Sequence, residues 1–222
     1  MTEHTIEVNG VTLFYIKAGE GRPVILLHGN GESHELFETQ IGQLVSAGYT
    51  VYAPDSRGHG QSSPVNEYHY ADMAEDVYQF IVKLGLEKPA VYGFSDGGII
   101  ALLLEIMHPG TIGILALSGA NLSPAGVTPE FTAQFAGNDE PLIRLMFTEP
   151  DIDPEDLKKF DMPVLVMAGS EDLILPEETN RIAEALPYSE LVIVDGEDHG
   201  SYIVGCETAG NLLIPFLKKH GY

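Results

Sequence analysis

Apolar positions in this chain alternate between two patterns. Short continuous runs occur at Val24–Leu27, Thr50–Ala53, Ala90–Phe94, Gly113–Leu117, Val164–Ala168 and Leu191–Val194, as expected of strands buried on both faces of a parallel sheet. Between them lie longer stretches with helical spacing, at Leu36–Ala47, Met73–Leu84, Gly97–Met107, Glu177–Leu186 and Ala209–Lys219. Strands alternating with helices predict an α/β fold, a mostly parallel sheet with helices on both faces. The amino-terminal segment follows another rule. Thr5–Val8 and Val11–Ile16 flank Asn9-Gly10, the pair that suits a two-residue hairpin because both turn positions need positive φ.

The alternation fails between Asn121 and Asp161, where Pro124, Pro129, Pro141, Pro150 and Pro154 punctuate the chain. Two short helices are predicted there, near Glu130–Ala136 and Pro141–Phe147. An insertion after a strand's carboxyl end falls where an α/β sheet places its ligand crevice, so residues 121–161 are expected to form a small lid. With no repeat or linker elsewhere, residues 1–222 read as a single domain.

Composition narrows the partners. The 222 residues include 33 acidic and 11 basic side chains, a net charge of −22. That field repels phosphate backbones and anionic membranes, so neither nucleic acid nor membrane is an expected partner. No apolar run approaches the ~18–20 residues that span a bilayer. The start, Met1-Thr2-Glu3-His4, lacks the basic and apolar segments of a signal peptide. The single cysteine, Cys206, excludes an internal disulfide and a cysteine-cluster metal site. A cytoplasmic protein without a structural metal is the expectation. The charge itself fits either a solubility role or attraction of cationic substrates, and oligomeric state leaves no signature.

The chemistry concentrates at strand ends. Ala90–Phe94 runs into Gly93-Phe94-Ser95-Asp96-Gly97, a G-x-S-x-G sequence between an apolar strand and an apolar helix. A serine on such a turn is presented at the sheet's edge, with the helix amino terminus aimed at charge developing on a bound carbonyl oxygen. Ser95 is therefore the candidate nucleophile. The loop after Val24–Leu27, His28-Gly29-Asn30-Gly31, offers the N–H of Asn30 as one oxyanion donor, and the N–H of Asp96 is the other. His28 reads as a residue packed under that loop. A serine needs a base, and the base needs an acid. His199 follows Leu191–Val194 and Asp172 follows Val164–Ala168, giving the order Ser, acid, His. Glu171 competes with Asp172, and Asp198 flanks the base; the register before Leu173–Pro176 favours Asp172. His59 reads as part of a glycine-rich turn. Phe94, Phe131, Leu142 and Met146 are candidates to line the substrate pocket, with Phe135, Leu145 and Phe147 behind them; lid packing explains these residues equally well.

Together His28-Gly29, the D-x-R-G-x-G-x-S turn at Asp55–Ser62, the elbow at Ser95, Gly169–Pro176 and Asp198-His199 resemble the α/β-hydrolase superfamily. The resemblance covers the chain apart from the lid. It implies an eight-stranded sheet with one antiparallel strand, and cofactor-free hydrolysis through an acyl-enzyme. The elbow is similar to that of valacyclovir hydrolase-like enzymes, which cleave amino-acid esters and carry an acidic residue after the nucleophile; Asp96 matches it. Asp96 equally fits a residue complementing its helix dipole, worth ~0.3–1 kcal/mol. The expected activity is hydrolysis of small or medium carboxylic esters, with the small-molecule ester as partner. Amino-acid ester hydrolysis, amidase or thioesterase chemistry, and a receptor without turnover are the alternatives.

Overall fold

The computed structural model describes residues 1–222. Its eight strands are β1 (Thr2–Val8), β2 (Val11–Ala18), β3 (Arg22–Leu27), β4 (Tyr49–Pro54), β5 (Ala90–Phe94), β6 (Ile114–Ser118), β7 (Val164–Gly169) and β8 (Ser189–Val194). They form one sheet in the order β1-β2-β4-β3-β5-β6-β7-β8. Only β2 runs antiparallel to both of its neighbours, and the pairings from β3 outward are parallel. This is the α/β-hydrolase fold. The hairpin closes where the sequence places it, with Val8 opposite Val11 and φ of 42° at Asn9 and 79° at Gly10.

The continuous apolar runs reflect a period of two with both phases buried. Ile25 and Leu27 of β3 join one apolar layer, with helices α2 (Tyr70–Leu84) and α3 (Asp96–Met107). Val24 and Leu26 join the opposite layer, with α1 (Glu38–Ser46) and α8 (Thr208–Lys219). Every residue of β3 from Val24 onward is thus apolar for a reason. The last strand departs from this. In β8, Leu191 and Ile193 are 39% and 49% exposed, while Val192 and Val194 pack on the core. As the sheet's edge it buries one face, so its apolar run does not mean two covered faces.

Helix starts obey their sequence signals. Pro sits in the first turn of α4 (Pro129–Gln134), α5 (Pro141–Thr148), α6 (Pro154–Leu157) and α7 (Pro176–Ala185), where its missing N–H has no helical partner to lose. Segment 121–161 holds α4, α5 and the one-turn α6, which the apolar pattern did not announce. Its base is sewn to the loop after β7: Val127 bridges Ile174, Thr128 N–H donates to Leu173 O, and Leu175 N–H donates to Gly126 O. Buried Glu178 of α7 accepts the Leu122 N–H at 2.7 Å. No helix is long and apolar enough to cross a membrane.

Candidate active site

The site begins with a backbone contortion. Ser95 has φ 54° and ψ −118°, a conformation a side-chain-bearing residue adopts only under tertiary constraint. The turn is tied by Ser95 N–H to Ser118 O at 2.8 Å and by Gly98 N–H to Ser95 O at 2.8 Å. Its flanking glycines are steric necessities. A Cβ on Gly93 would strike the Gly97 carbonyl, and one on Gly97 would strike the Leu27 carbonyl. The G-x-S-x-G spacing follows from how closely β5, β3 and α3 approach beneath the serine.

Three loops then converge. His199 Nε2 lies 3.0 Å from Ser95 Oγ, and its Nδ1 lies 2.6 Å from Asp172 Oδ1. Asp172 Oδ1 also accepts the Ile174 N–H at 2.9 Å, which fixes the carboxylate. The Asp172 side chain is 2% exposed and that of His199 17%, so the acid is sealed while the imidazole borders the cavity. Glu171 is exposed and makes its backbone contact to Glu197 O. Asp198 instead anchors the loop, accepting the N–H groups of Gly200 and Ser201 at 3.0 and 2.9 Å. Those bonds hold its carboxyl below the usual range. Gly119, with φ 61°, lets the imidazole approach β6, since a Cβ there would meet the His199 ring.

Opposite lies the loop after β3. The N–H groups of Asn30 and Asp96 have no protein acceptor, and both residues line one cavity with Ser95. His28 is 1% exposed; its Nδ1–H donates to Gly29 O at 2.8 Å and its Nε2 accepts the Ser56 N–H at 2.9 Å. Burial of the ring lowers its pKa to about 4, against the opposing effect of the bond to Gly29 O. His28 supports the loop beneath the site. His59 is buried in the glycine-rich turn, bonded to Arg57 O at 2.9 Å. Asp55 organises that turn by accepting from His34 and Gln61.

A cavity of about 320 Å³ opens over Ser95. Phe94, Phe131, Ile143 and Met146 line it, whereas the sequence candidate Leu142 does not. Leu145 is buried in the core. Ile143 and Met146, three apart, face the cavity. Leu142 contributes only its carbonyl, which accepts from Asn30 Nδ2 at 3.1 Å. Phe135 also lines the cavity, whereas Phe147 borders a shallow hollow on the lid's outer side.

The polar wall contains Glu32 and Tyr70, which no motif singles out, beside Asp96. Glu32 accepts the Gly29 N–H at 2.9 Å and faces the cavity; burial raises its pKa. Asp96 is 5% exposed and takes hydrogen bonds from Asn30 Nδ2 at 3.0 Å and Tyr70 OH at 2.8 Å. Burial nevertheless pushes its carboxyl above the ordinary range, and Tyr70 is raised well above its own. Glu32 is signalled only by its place three residues after Gly29; Tyr70 has no local signal. No cluster of three or more His, Cys, Asp or Glu side chains is arranged to hold a metal.

A strained serine, an imidazole in contact with it and a buried carboxylate behind, at the carboxyl edge of this sheet, define the class of an α/β-hydrolase site. The comparisons agree. The family described as alpha/beta hydrolase fold matches residues 22–149, and a family described as TAP-like protein matches residues 146–220. The chain belongs to the α/β-hydrolase family. It is 29% identical to the AB hydrolase superfamily protein YisY of Bacillus subtilis, over 93% of this chain and 95% of that one. It is 28% identical to the non-heme chloroperoxidase CPO-A1 of Kitasatospora aureofaciens, over 95% and 98%. The esterase EaEST of Exiguobacterium antarcticum shares the fold with a TM-score of 0.83 at 24% identity, covering 98% of this chain and all (100%) of that one.

Proposed function

We propose that the protein is a serine hydrolase cleaving small or medium carboxylic esters. The observation that carries this is the continuous chain Asp172–His199–Ser95, at 2.6 and 3.0 Å, ending on a strained serine that opens into the cavity. His199 takes the Ser95 proton as Oγ attacks the acyl carbon. Asp172 holds the Nδ1–H tautomer and stabilises the imidazolium. The Asn30 and Asp96 N–H groups receive the oxyanion. His199 then protonates the departing alcohol, and water attacks the acyl-enzyme by the same route in reverse. The cavity's volume and its Phe131, Ile143 and Met146 wall suit a short or branched acyl chain.

Turnover of p-nitrophenyl esters of graded chain length tests the reading. Ser95→Ala is expected to lower kcat by ~10⁴–10⁶-fold; wild-type activity in that variant refutes it. A second reading has its own support. Asp96 and Glu32 place two carboxylates on the cavity wall, which favours an amino-acyl ester whose ammonium lies against them. A kcat/KM for an amino-acyl ester at least tenfold above that of its des-amino analogue supports this reading; equal values remove it.

A further inference from the structure

Lid helix α5 and the elbow are joined by more than proximity. At the helix's amino end, Leu142 O accepts from Asn30 Nδ2 at 3.1 Å. The same Nδ2 donates to Asp96 Oδ2 at 3.0 Å, so both amide hydrogens of Asn30 are committed. Asp96 Oδ1 accepts from Tyr70 OH at 2.8 Å. The backbone N–H of Tyr70 donates to Glu149 Oε2 at 3.0 Å, and Glu149 is the residue that ends α5. The path closes on itself: α5, Asn30, Asp96, Tyr70, and α5 again. Its other external tie is the ion pair of Glu149 Oε1 with His69 Nδ1 at 2.6 Å.

We propose that this ring makes Asn30, Asp96, Tyr70 and Glu149 positioning residues that couple the seating of α5 to the oxyanion donors. The inference rests on the hydrolase reading for its catalytic consequence. The two residues whose side chains form the ring's inner half, Asn30 and Asp96, are the ones whose backbone N–H groups face the oxyanion. Lifting α5 takes Leu142 O from Asn30 and Glu149 from Tyr70, leaving the Gly29–Gly31 loop with fewer tethers. Acyl groups that pack on Ile143 and Met146 hold α5 down. Their binding energy is then realised in kcat, because it preorganises the donors that act in the transition state. Substrate selectivity by chain length becomes a property of turnover as well as of affinity.

The ring predicts non-additivity. Asn30→Ala retains the backbone donor yet is expected to lower kcat about tenfold with little change in KM, the scale of a hydrogen bond lost beside a charged group. Glu149→Ala, outside the cavity, is expected to lower kcat about threefold to tenfold, and Glu149→Gln, which keeps an acceptor for Tyr70 N–H, to restore most of it. The double variant Asn30→Ala/Glu149→Ala is expected to be no slower than the worse single. Hydrogen–deuterium exchange supplies a readout independent of turnover: Glu149→Ala raises exchange in peptides spanning residues 28–33 as well as 141–149, and Glu149→Gln does not. Exchange confined to 141–149, or losses that multiply in the double variant, overturns the coupling. Turnover that does not depend on Ser95 would sink the hydrolase reading instead, and the exchange result would still decide the ring.

Discussion

His28 makes the fold acid-labile in a calculable way. Its ring is held neutral in the native state, because Nε2 accepts the Ser56 N–H and Nδ1–H serves Gly29 O, inside a site that excludes water. A pKa lowered from 6.5 to about 4 means that between those values the unfolded chain binds a proton the folded chain refuses. Stability therefore rises with pH across that window, is fully present above pH ~6.5, and is lost as pH falls towards ~4. The window is about 2.5 pH units wide, so the loss is about 3 kcal/mol, with about 2 kcal/mol gone by pH 5. Urea unfolding of wild type and His28→Gln at pH 7, 6, 5 and 4.5 isolates this residue from the other titrating groups. The variant is expected to be less stable at pH 7, with the gap narrowing by roughly those amounts on acidification. Two curves that stay parallel from pH 7 to 4.5 would refute the assignment of a neutral, desolvated ring.

Other consequences are read off single contacts. Ser95→Gly removes a side chain from a positive-φ turn and is expected to raise stability by about 1 kcal/mol while abolishing ester turnover; calorimetry beside the ester assay checks it. Gly97→Ala sets a Cβ against the Leu27 carbonyl, a backbone contact that cannot yield, so soluble folded yield by circular dichroism should collapse. Asp76→Ala leaves Arg57 buried without the carboxylate that accepts from its Nε and Nη2 at 2.7 and 2.6 Å, an expected loss of about 3–5 kcal/mol in urea unfolding. Ile143→Ala is expected to impair longer acyl esters more than acetate, whereas wild-type chain-length profiles would move Ile143 out of the acyl wall.

Local signals carried the sheet and the elbow because each is a local problem in the chain. β5 is bounded correctly to the residue, since an apolar strand must stop where Ser95 takes up its turn. The lid is different. In α5 the run Leu142-Ile143-Arg144-Leu145-Met146-Phe147 is apolar at nearly every position, so no periodicity says which face meets the core; only Leu145's burial fixes the phase. α6 is a single turn, Pro154-Glu155-Asp156-Leu157, too short for any period. Tyr70 meets Asp96 across 26 residues, a contact decided by how α2 packs on α3. The acids needed a choice between Glu171 and Asp172, and the turn into Ile174 makes it: the Ile174 N–H fastens Asp172 Oδ1 where His199 reaches it.

Asp96 poses the sharpest electrostatic question of the site. Its N–H is a proposed oxyanion donor, yet its own carboxylate would oppose charge developing a few ångströms away. Three features soften that opposition. Each oxygen takes a hydrogen bond, from Asn30 and from Tyr70, and the carboxyl sits at the positive end of α3. Burial raises its proton affinity in addition. Under the amino-acyl ester reading, an ammonium-bearing substrate would neutralise the carboxylate, and Glu32, whose Oε2 accepts from the Gly29 N–H, lines the same cavity. Under the ester-hydrolase proposal, the acidic wall would distinguish substrates by the charge they cancel, and the apolar wall of α4 and α5 by the volume they fill.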